Sequence, residues 1–264
     1  MIGRWKLKPD QWAGEQIIGD RDTQQDAFHT EIIATEDGKP LLALILADGM
    51  GGHKGGMEAA ANAVGAATQS LIEAPIADSN ARLHDALVAA NLAISIAKEH
   101  KDESFSTMGC TLVILLLGSK GAEWVSVGDS PLWLMRNGSL LRLNRDHSMA
   151  PVLEFMVQNG EITEEDAADD PRRHMLRSAL MGKEEISLID ESEAPVPLNP
   201  GDSLVLASDG LLGLTENEIV STLQSSDDAA AICAQLLHMV RNAVPAGLDN
   251  SSVVVYTERK RGWL

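Results

Sequence analysis

This chain of 264 residues has little cysteine and no long apolar run, and each absence excludes a class of protein. Cys110 and Cys233 sit in apolar stretches without a CxxC neighbour, which predicts two buried free thiols and excludes zinc or redox chemistry at these residues. No apolar stretch reaches the roughly 18 residues that a membrane-spanning helix needs. The basic residues at the start precede no apolar segment, so we predict no secretory signal and expect a cytoplasmic protein without a membrane partner.

Basic residues are also scarce, which bears on the partners of the protein. There are 21 Lys and Arg residues against 39 Asp and Glu residues, so the formal net charge is −18. Such a charge repels phosphate backbones and argues against a nucleic-acid partner. The hydrophobic content of 44% is typical of a globular protein, and the sequence has no internal repeat or low-complexity linker. We therefore predict a single domain over residues 1–264.

Apolar runs of strand length recur along the chain and predict a β-rich core. They are residues 31–34, 41–47, 110–118, 123–128, 131–135, 203–208 and 251–256. Helical spacing of apolar residues predicts long helices at about 55–73 and 80–101, and a second helical pair near 215–224 and 228–243. In the second of these helices, one apolar face is formed by Leu83, Leu87, Ala90, Ile94 and Ala97.

The connections between these elements limit the topology. Neighbouring strands such as 110–118, 123–128 and 131–135 are separated by short turns, which require antiparallel pairing. The order of elements also departs from strict βαβ alternation. We therefore predict an α+β fold, with two antiparallel sheets and helices on the outside. The polar, turn-rich stretch at about 149–182 is predicted to be a surface insertion between strands.

Aspartates mark the ends of five predicted strands, at Asp26, Asp48, Asp129, Asp209 and Asp249. A single aspartate in such a place is typical of a turn or a helix cap. If all five ends converge, however, the carboxylates repel each other unless a positive charge lies between them. Oxygen ligands without clustered His or Cys indicate Mg²⁺ or Mn²⁺, and two such ions can activate water for phosphoryl transfer.

The glycine-rich stretch "LADGMGGHKGG" (46–56) follows one of these strands. It does not match a nucleotide-binding loop, because Lys54 is followed by Gly55 rather than by Ser or Thr. We predict instead that Asp48 and the Gly49 carbonyl face a pair of metal ions, while the glycines let the chain turn away tightly.

Seven motifs resemble the protein phosphatase 2C family of metal-dependent Ser/Thr phosphatases, most closely its compact bacterial branch. In order, they are "RDTQQDAF" (21–28), "LADGMGGHKGG" (46–56), "STMGCTLV" (106–113), "VGDSPLWL" (127–134), "DHSMAPVLEFMVQNGEI" (146–162), "LASDGLLGLT" (206–215) and "DNSSVVV" (249–255). The resemblance covers about residues 15–256. It implies a four-layer αββα sandwich, in which two antiparallel sheets are flanked by helix pairs, with a flap insertion at about 149–182.

The resemblance also implies a set of metal ligands. Asp48 would bridge two Mn²⁺ or Mg²⁺ ions. Asp209 and Asp249 would complete the ligands of the first ion, and the Gly49 carbonyl would bind the second. Asp26 would hold metal-bound waters. In bacterial members a third, weaker ion is bound by the pair that matches Asp129 and Asp209.

The implied reaction is the dephosphorylation of phosphoserine and phosphothreonine in proteins by a hydroxide that bridges the two metal ions. Arg21 would bind the phosphate, and His53 would protonate the leaving oxygen. His147, in contrast, is predicted to have a structural role. The resemblance implies a phosphorylated protein as substrate and a Ser/Thr kinase that the enzyme opposes in signal transduction, and we expect a monomer.

Three alternatives remain at this stage. They are a catalytically inactive scaffold or regulator that binds phosphoproteins, a metal-dependent phosphodiesterase or small-molecule phosphatase, and a purely structural acidic domain. The chain also departs from the family pattern at Gln24, Gln25, Cys110, Pro131 and His174, none of which is a predicted metal ligand. The acidic run "EITEEDAADD" (161–170) in the flap suggests substrates with basic residues near the phosphate.

Overall fold

The structure, a computed structural model, describes residues 7–35, 38–51, 53–74, 78–99, 105–244 and 246–259, and for His53 the backbone alone. The strands of this part are β1 (Trp12–Ile17), β2 (Ala27–Ile33), β3 (Leu41–Ala47), β4 (Gly49–Met50), β5 (Gly109–Cys110), β6 (Leu112–Gly118), β7 (Gly121–Val127), β8 (Leu132–Arg136), β9 (Ser139–Arg142), β10 (Asp190–Glu191), β11 (Ser203–Ala207) and β12 (Ser251–Thr257). Its α-helices are α1 (His53–Glu73), α2 (Ser79–Glu99), α3 (Ala150–Gln158), α4 (Glu164–Asp169), α5 (Glu216–Ser225) and α6 (Ala229–Ala243).

Two five-stranded sheets are formed by these strands. One has the order β1-β12-β11-β8-β9 and the other β10-β7-β6-β3-β2. Every pair of neighbouring strands in both sheets is antiparallel, as predicted from the short turns. The short strands β4 and β5 form a separate ribbon, in which Gly49 pairs with Cys110.

The sheets are buried on both faces, which explains why their central strands are apolar throughout. In β3, Leu42, Leu44 and Leu46 face the other sheet and pack in one cluster with residues of β6, β8, β11 and β12. The alternate residues Ala43 and Ile45 face the opposite way and pack with α1 and α2. Because side chains alternate along a strand, one continuous apolar run serves both layers.

Helix pairs cover the outer faces, so the predicted αββα order is confirmed. Helices α1 and α2 pack on the sheet that contains β3, and α5 and α6 pack on the sheet that contains β12. The predicted apolar face of α2 is buried except for Ala97, which is partly buried. Both cysteines are buried free thiols, Cys110 in the α1–α2 layer and Cys233 in the α5–α6 layer.

Some elements differ from the sequence prediction. The strand predicted at 31–34 is only the end of β2, and the run at 110–118 divides into β5 and β6 at Thr111. Thr111 leaves the strand because it bonds to Asp48 through both its backbone N–H and its hydroxyl. The strand β1 was not predicted, because its polar residues Glu15 and Gln16 are exposed at a sheet edge.

The predicted flap region, 149–182, contains α3 and α4. Thr163 begins α4 with a capping box, in which its hydroxyl accepts from the Asp166 N–H. An ion pair between Arg173 and Glu154 connects the chain after α4 to α3. Across the described residues, no helix combines the length and the apolar character that crossing a membrane requires.

Candidate metal centre

Four of the five aspartates line or adjoin two clefts at one end of the sandwich. Asp48, Asp129 and Asp209 line a cleft of about 540 Å³. Asp48 and Asp249 line a second cleft of about 380 Å³, together with Arg21 and Gly49. Asp48 therefore stands where the two clefts meet, and the strand ends converge as the sequence predicted.

Asp26 is the most deeply buried of the five, with 6% of its surface exposed. Its Oδ2 accepts hydrogen bonds from the hydroxyls of Ser208 at 2.8 Å and Ser252 at 2.7 Å. The Ser252 backbone N–H donates to the Ser208 hydroxyl at 2.9 Å, so the two serines form one closed network with the carboxylate. This network holds one oxygen of the Asp26 carboxylate, Oδ2, in a fixed position.

Burial and mutual repulsion raise the pKa values in the cluster. Burial raises the pKa of Asp26 to about 6, and the charges of Asp209 and Asp249 add to this against the two serine bonds. The pKa of Asp48 is raised well above its usual range, first by burial and then by the charges of the four other aspartates. The five carboxylates are thus close enough to act on one another.

The two aspartates of the larger cleft show the same effect. Burial raises the pKa of Asp129 to about 6, with a contribution from Asp209. The pKa of Asp209 is raised by burial and by Asp249, while His174 and Arg21 act weakly in the opposite direction. The cations near the cluster therefore do not offset its negative charge.

These observations test whether the residues fit Mn²⁺ or Mg²⁺. The donors are carboxylate oxygens, most of them half-buried, that repel each other, which is the environment that a hard divalent cation stabilises. Among the described side chains, however, no three of His, Cys, Asp or Glu already form a group that could hold an ion. The donor chemistry fits, and binding would draw the carboxylates closer together.

The glycine-rich loop owes its composition to close backbone packing. A side chain on Gly49 would come within 2.2 Å of the Gly56 carbonyl oxygen and 2.5 Å of that of Gln25. A side chain on Gly56 would meet the Gln25 side chain at 2.2 Å, and Gly51 has a φ of +107°, which favours glycine. The loop, the first turn of α1 and Gln25 therefore meet at a point that admits no side chain.

Arg21 and His53 are the two predicted catalytic residues. The Arg21 Nη2 donates to Asp249 Oδ2 at 2.5 Å, and its side chain remains 53% exposed. This places the guanidinium at the rim of the smaller cleft, beside the cluster. His53 is the first residue of α1, but its side chain lies outside the part that the structure describes.

Three hydroxyl residues at the site were missed by sequence reasoning. Ser208 and Ser252 hold Asp26, and the Thr111 hydroxyl accepts from the Asp48 N–H at 3.0 Å. A serine or threonine near an aspartate at a strand end is the sequence feature that could have indicated these residues. The wall that residues 174–187 form in the larger cleft had no such signal, because this stretch is irregular and lacks periodicity.

His147 has the structural role that was predicted for it. It is 4% exposed, and its backbone N–H donates to the Gly128 carbonyl at 3.1 Å. Its Nδ1 accepts from the Gly128 N–H at 3.2 Å, and burial lowers its pKa. The ring therefore supports the turn that carries Asp129.

Comparison with known proteins gives consistent matches. A family model described as Protein phosphatase 2C matches residues 13–250. The Serine/threonine protein phosphatase PstP of Mycobacterium tuberculosis is 32% identical over 212 residues, which cover 80% of this chain and 39% of that protein. Protein phosphatase PhpP of Streptococcus pneumoniae is 31% identical over 216 residues, or 80% of this chain and 84% of that protein.

The solved structure of the catalytic domain of PstP, in complex with 2 manganese ions, superposes with a TM-score of 0.73 at 29% identity. The match covers 92% of this chain and 96% of that domain. This chain thus spans well under half of the mycobacterial protein, but nearly all of its catalytic domain.

Proposed function

Because the chain belongs to the protein phosphatase 2C family, we propose that it is a metal-dependent enzyme that dephosphorylates phosphoserine and phosphothreonine in proteins. The observation that carries this proposal is the convergence of five aspartates, four of them with raised pKa values, beside the exposed guanidinium of Arg21. All five aspartates are present, which favours an active enzyme over an inactive phosphoprotein-binding scaffold.

The proposed ligands of two core Mn²⁺ or Mg²⁺ ions are Asp48 between them, Asp209 and Asp249 at one, and the Gly49 carbonyl at the other. The position of Asp48 at the junction of the two clefts supports this role. Asp26, held by two serine hydroxyls, is suited to orient water molecules of the ions. When bound, such a pair of ions lowers the pKa of a water so that it can attack phosphorus at neutral pH.

A third, weaker ion is proposed at Asp129 and Asp209. Both residues line the larger cleft, and the charge of Asp209 raises the pKa of Asp129. The turn that carries Asp129 ends in Pro131, where relatives of the family usually have an arginine. A cation nevertheless lies beside this site, because Arg142 Nη2 donates to the Asp129 carbonyl at 2.6 Å.

Arg21 is proposed to bind the phosphate group of the substrate. Its guanidinium contacts Asp249 through one nitrogen, which leaves other N–H donors for the phosphate oxygens. Such donors stabilise the charge that develops in the transition state. His53 is proposed to donate a proton to the leaving seryl or threonyl oxygen, since a histidine can do so near neutral pH.

The biological setting follows from the same proposal. The substrate would be a phosphorylated protein, and the enzyme would oppose a Ser/Thr kinase. We propose further that it acts as a monomer, in the cytoplasm, as one phosphatase domain whose flap at about 149–182 borders the active site. The position of residues 174–182 on the larger cleft supports this role of the flap.

The test is hydrolysis of p-nitrophenyl phosphate and of a phosphothreonine peptide, with Mn²⁺ and with EDTA. We expect turnover in Mn²⁺ and none in EDTA. Asp209→Asn should lower kcat/KM by at least about 100-fold, the size of effect that loss of one key electrostatic group produces. Asp227→Asn removes the same charge at an exposed position and is the matched control. Absence of turnover despite Mn²⁺ binding would favour the scaffold alternative.

A further inference from the structure

The larger cleft has a wall that faces the aspartates and does not belong to the metal centre. This wall is formed by residues of the segment after α4, among them His174, Met175, Arg177, Met181, Lys183 and Glu185. The cleft of about 540 Å³ lies in the range of pockets that hold small ligands. It can therefore receive more than the phosphate group itself.

The backbone of this wall is bonded to several other elements. Leu180 exchanges two hydrogen bonds with Cys110, at 2.9 and 3.0 Å. Asn91 of α2 accepts from the Gly182 N–H at 2.9 Å and donates to the Lys183 carbonyl at 2.7 Å. The Arg177 N–H donates to the His147 carbonyl at 2.7 Å. These bonds hold the wall at a fixed position relative to the cluster.

Gly182 shows how closely the wall approaches α2. Its φ is +66°, and a side chain there would come within 2.5 Å of the Ser95 backbone nitrogen. Behind it, Lys98 Nζ donates to the Met181 carbonyl at 2.6 Å. Burial, and then repulsion from Lys183, lower the pKa of Lys98, so the two lysines lie close enough to act on each other.

Two cations of the wall are left without a partner. Among the residues that the structure describes, the side chains of Arg177 and Lys183 are exposed and form no ion pair. The preceding Arg172 and Arg173, in contrast, pair with Asp170 and Glu154. Unpaired cations are notable in a chain that has 39 acidic residues and only 21 Lys and Arg.

The acidic run of the flap lies elsewhere. In the described structure none of residues 161–170 lines either cleft. Asp166 bonds to Thr163 within the cap of α4, and Asp170 is paired with Arg172. The acidic run that suggested basic substrates therefore lies outside both clefts, whereas Arg177 and Lys183 line the larger one.

On the basis of the proposed function, we propose that Arg177 and Lys183 select phosphoprotein substrates with acidic side chains close to the phosphorylated residue. Ions bound at the aspartates would offset the negative charge on that side of the cleft, whereas the two cations remain available. Their long side chains project from a fixed backbone, so that a carboxylate of an extended peptide can pair with them at the cleft mouth. Among the described residues of the wall that line the cleft, Glu185 is the one acidic residue, and it should weaken this preference.

The experiment compares three phosphothreonine peptides that differ only in flanking acidic, neutral or basic residues. With Mn²⁺, we expect kcat/KM to fall from acidic to neutral to basic. Arg177→Gln and Lys183→Gln should each reduce the acidic-to-neutral ratio by about threefold, and the double variant should abolish it, as expected for exposed charge pairs. Glu185→Gln should increase the ratio. The preference should also weaken as the salt concentration is raised.

Controls separate this inference from the proposed function. Arg241→Gln removes an exposed charge of α6 and should leave the peptide ratios unchanged. The neutral phosphothreonine peptide is the reference for each variant, because the acidic-to-neutral ratio cancels any effect of Arg177→Gln or Lys183→Gln on the reaction of the phosphate itself. The affinities of three matching peptides with a non-hydrolysable phosphonate are measured by fluorescence anisotropy. We expect the acidic peptide to bind most tightly and the basic peptide most weakly, and this test does not depend on turnover. Equal binding of the three peptides, tighter binding of the basic one, or a preference that survives in the double variant would overturn the inference.

Discussion

The strands β8 and β11 have aspartates near both of their ends, buried at one end and half-buried at the other, and the surroundings of these aspartates differ. At one end, Asp202 is 3% exposed, and both of its oxygens accept from Arg136 Nε at 3.1 Å. Arg136 Nη2 adds a bond of 2.6 Å, and the Asn199 N–H one of 2.7 Å. At the other end, Asp129 and Asp209 have raised pKa values, and no arginine among the described residues is bonded to either carboxylate; Arg142 reaches Asp129 only at its backbone carbonyl. One end is compensated within the chain, and the other is where we propose that cations bind.

This contrast separates stability from function. A buried carboxylate with a bidentate arginine is a complete unit, and its loss leaves a partly buried charge without a partner. A group of carboxylates without such partners destabilises the folded chain until a cation binds. Substitution, metal binding and protonation should therefore have different effects at the two ends.

The largest effect is expected from matched substitutions at the two ends. Asp48→Asn should lower kcat/KM for p-nitrophenyl phosphate by at least about 100-fold, because it removes the carboxylate between the two clefts. Asp202→Asn should keep nearly the full rate but lose about 2–3 kcal/mol of the free energy of unfolding, because Arg136 keeps only part of its bonding. Urea denaturation together with steady-state rates measures both. Similar activity in the two variants would remove the distinction between the ends.

Metal binding should stabilise only the open end. At a Mn²⁺ concentration about 100 times the Kd, one site adds about 2.7 kcal/mol to the free energy of unfolding. We expect this gain in the wild type and in Asp202→Asn, and its loss in Asp48→Asn, with thermal unfolding in Mn²⁺ and in EDTA as the measurement. The same gain in all three proteins would place the ions elsewhere.

Acidification should stabilise the metal-free protein. The pKa values of Asp26 and Asp129 are raised to about 6, above the ordinary value of 3.8, so the folded chain binds more protons than the unfolded chain between these values. Stability in EDTA should therefore rise by about 1–2 kcal/mol from pH 7 to pH 5 and fall again as the pH is raised through 6.

Substitution of one carboxylate provides the control for this pH dependence. Asp129→Asn should show a smaller rise, because one of the carboxyls with a raised pKa is gone. Added Mn²⁺ should reverse the trend, since protons compete with the ions for the carboxylates. A metal-free protein that is less stable at pH 5 than at pH 7 would contradict the raised pKa values.

The smallest effect is expected from the hydroxyls that hold Asp26. Ser208→Ala should reduce the free energy of unfolding by about 1 kcal/mol and weaken Mn²⁺ binding severalfold, since one hydrogen bond to the carboxylate is lost. Ser203→Ala, in the same strand β11 but at the compensated end, is the matched control. Isothermal titration with Mn²⁺ measures the affinity, and equal affinities in the two variants would show that the network does not position Asp26.

The fold and the convergence of the aspartates could largely be predicted from the sequence, for different reasons. The strands β3, β6, β11 and β12 have apolar runs, because both faces of each sheet are buried. The five aspartates follow or precede such runs, so their convergence could be inferred once antiparallel pairing was established. Edge strand β1 could not be predicted, because its exposed residues interrupt the apolar pattern.

The position of the cleft wall could not be predicted from sequence patterns. Residues 174–187 have no regular structure of their own, and their position depends on bonds to Asn91, Lys98, Cys110 and His147, which are distant in sequence. The sequence therefore drew attention to the acidic run of the flap, whereas none of its residues lines either cleft in the described structure. Local charge composition did not indicate which charges face the cleft.

The two buried cysteines make each outer layer of the sandwich observable on its own. Burial raises the pKa of the Cys110 thiol, and it raises that of Cys233 to about 12, so neither reacts with a thiol reagent while it is packed. Cys110 becomes reachable only when the α1–α2 layer opens, and Cys233 only when the α5–α6 layer opens. The chain thus contains two natural reporters, and their labelling rates give the opening frequency of each layer without any added probe.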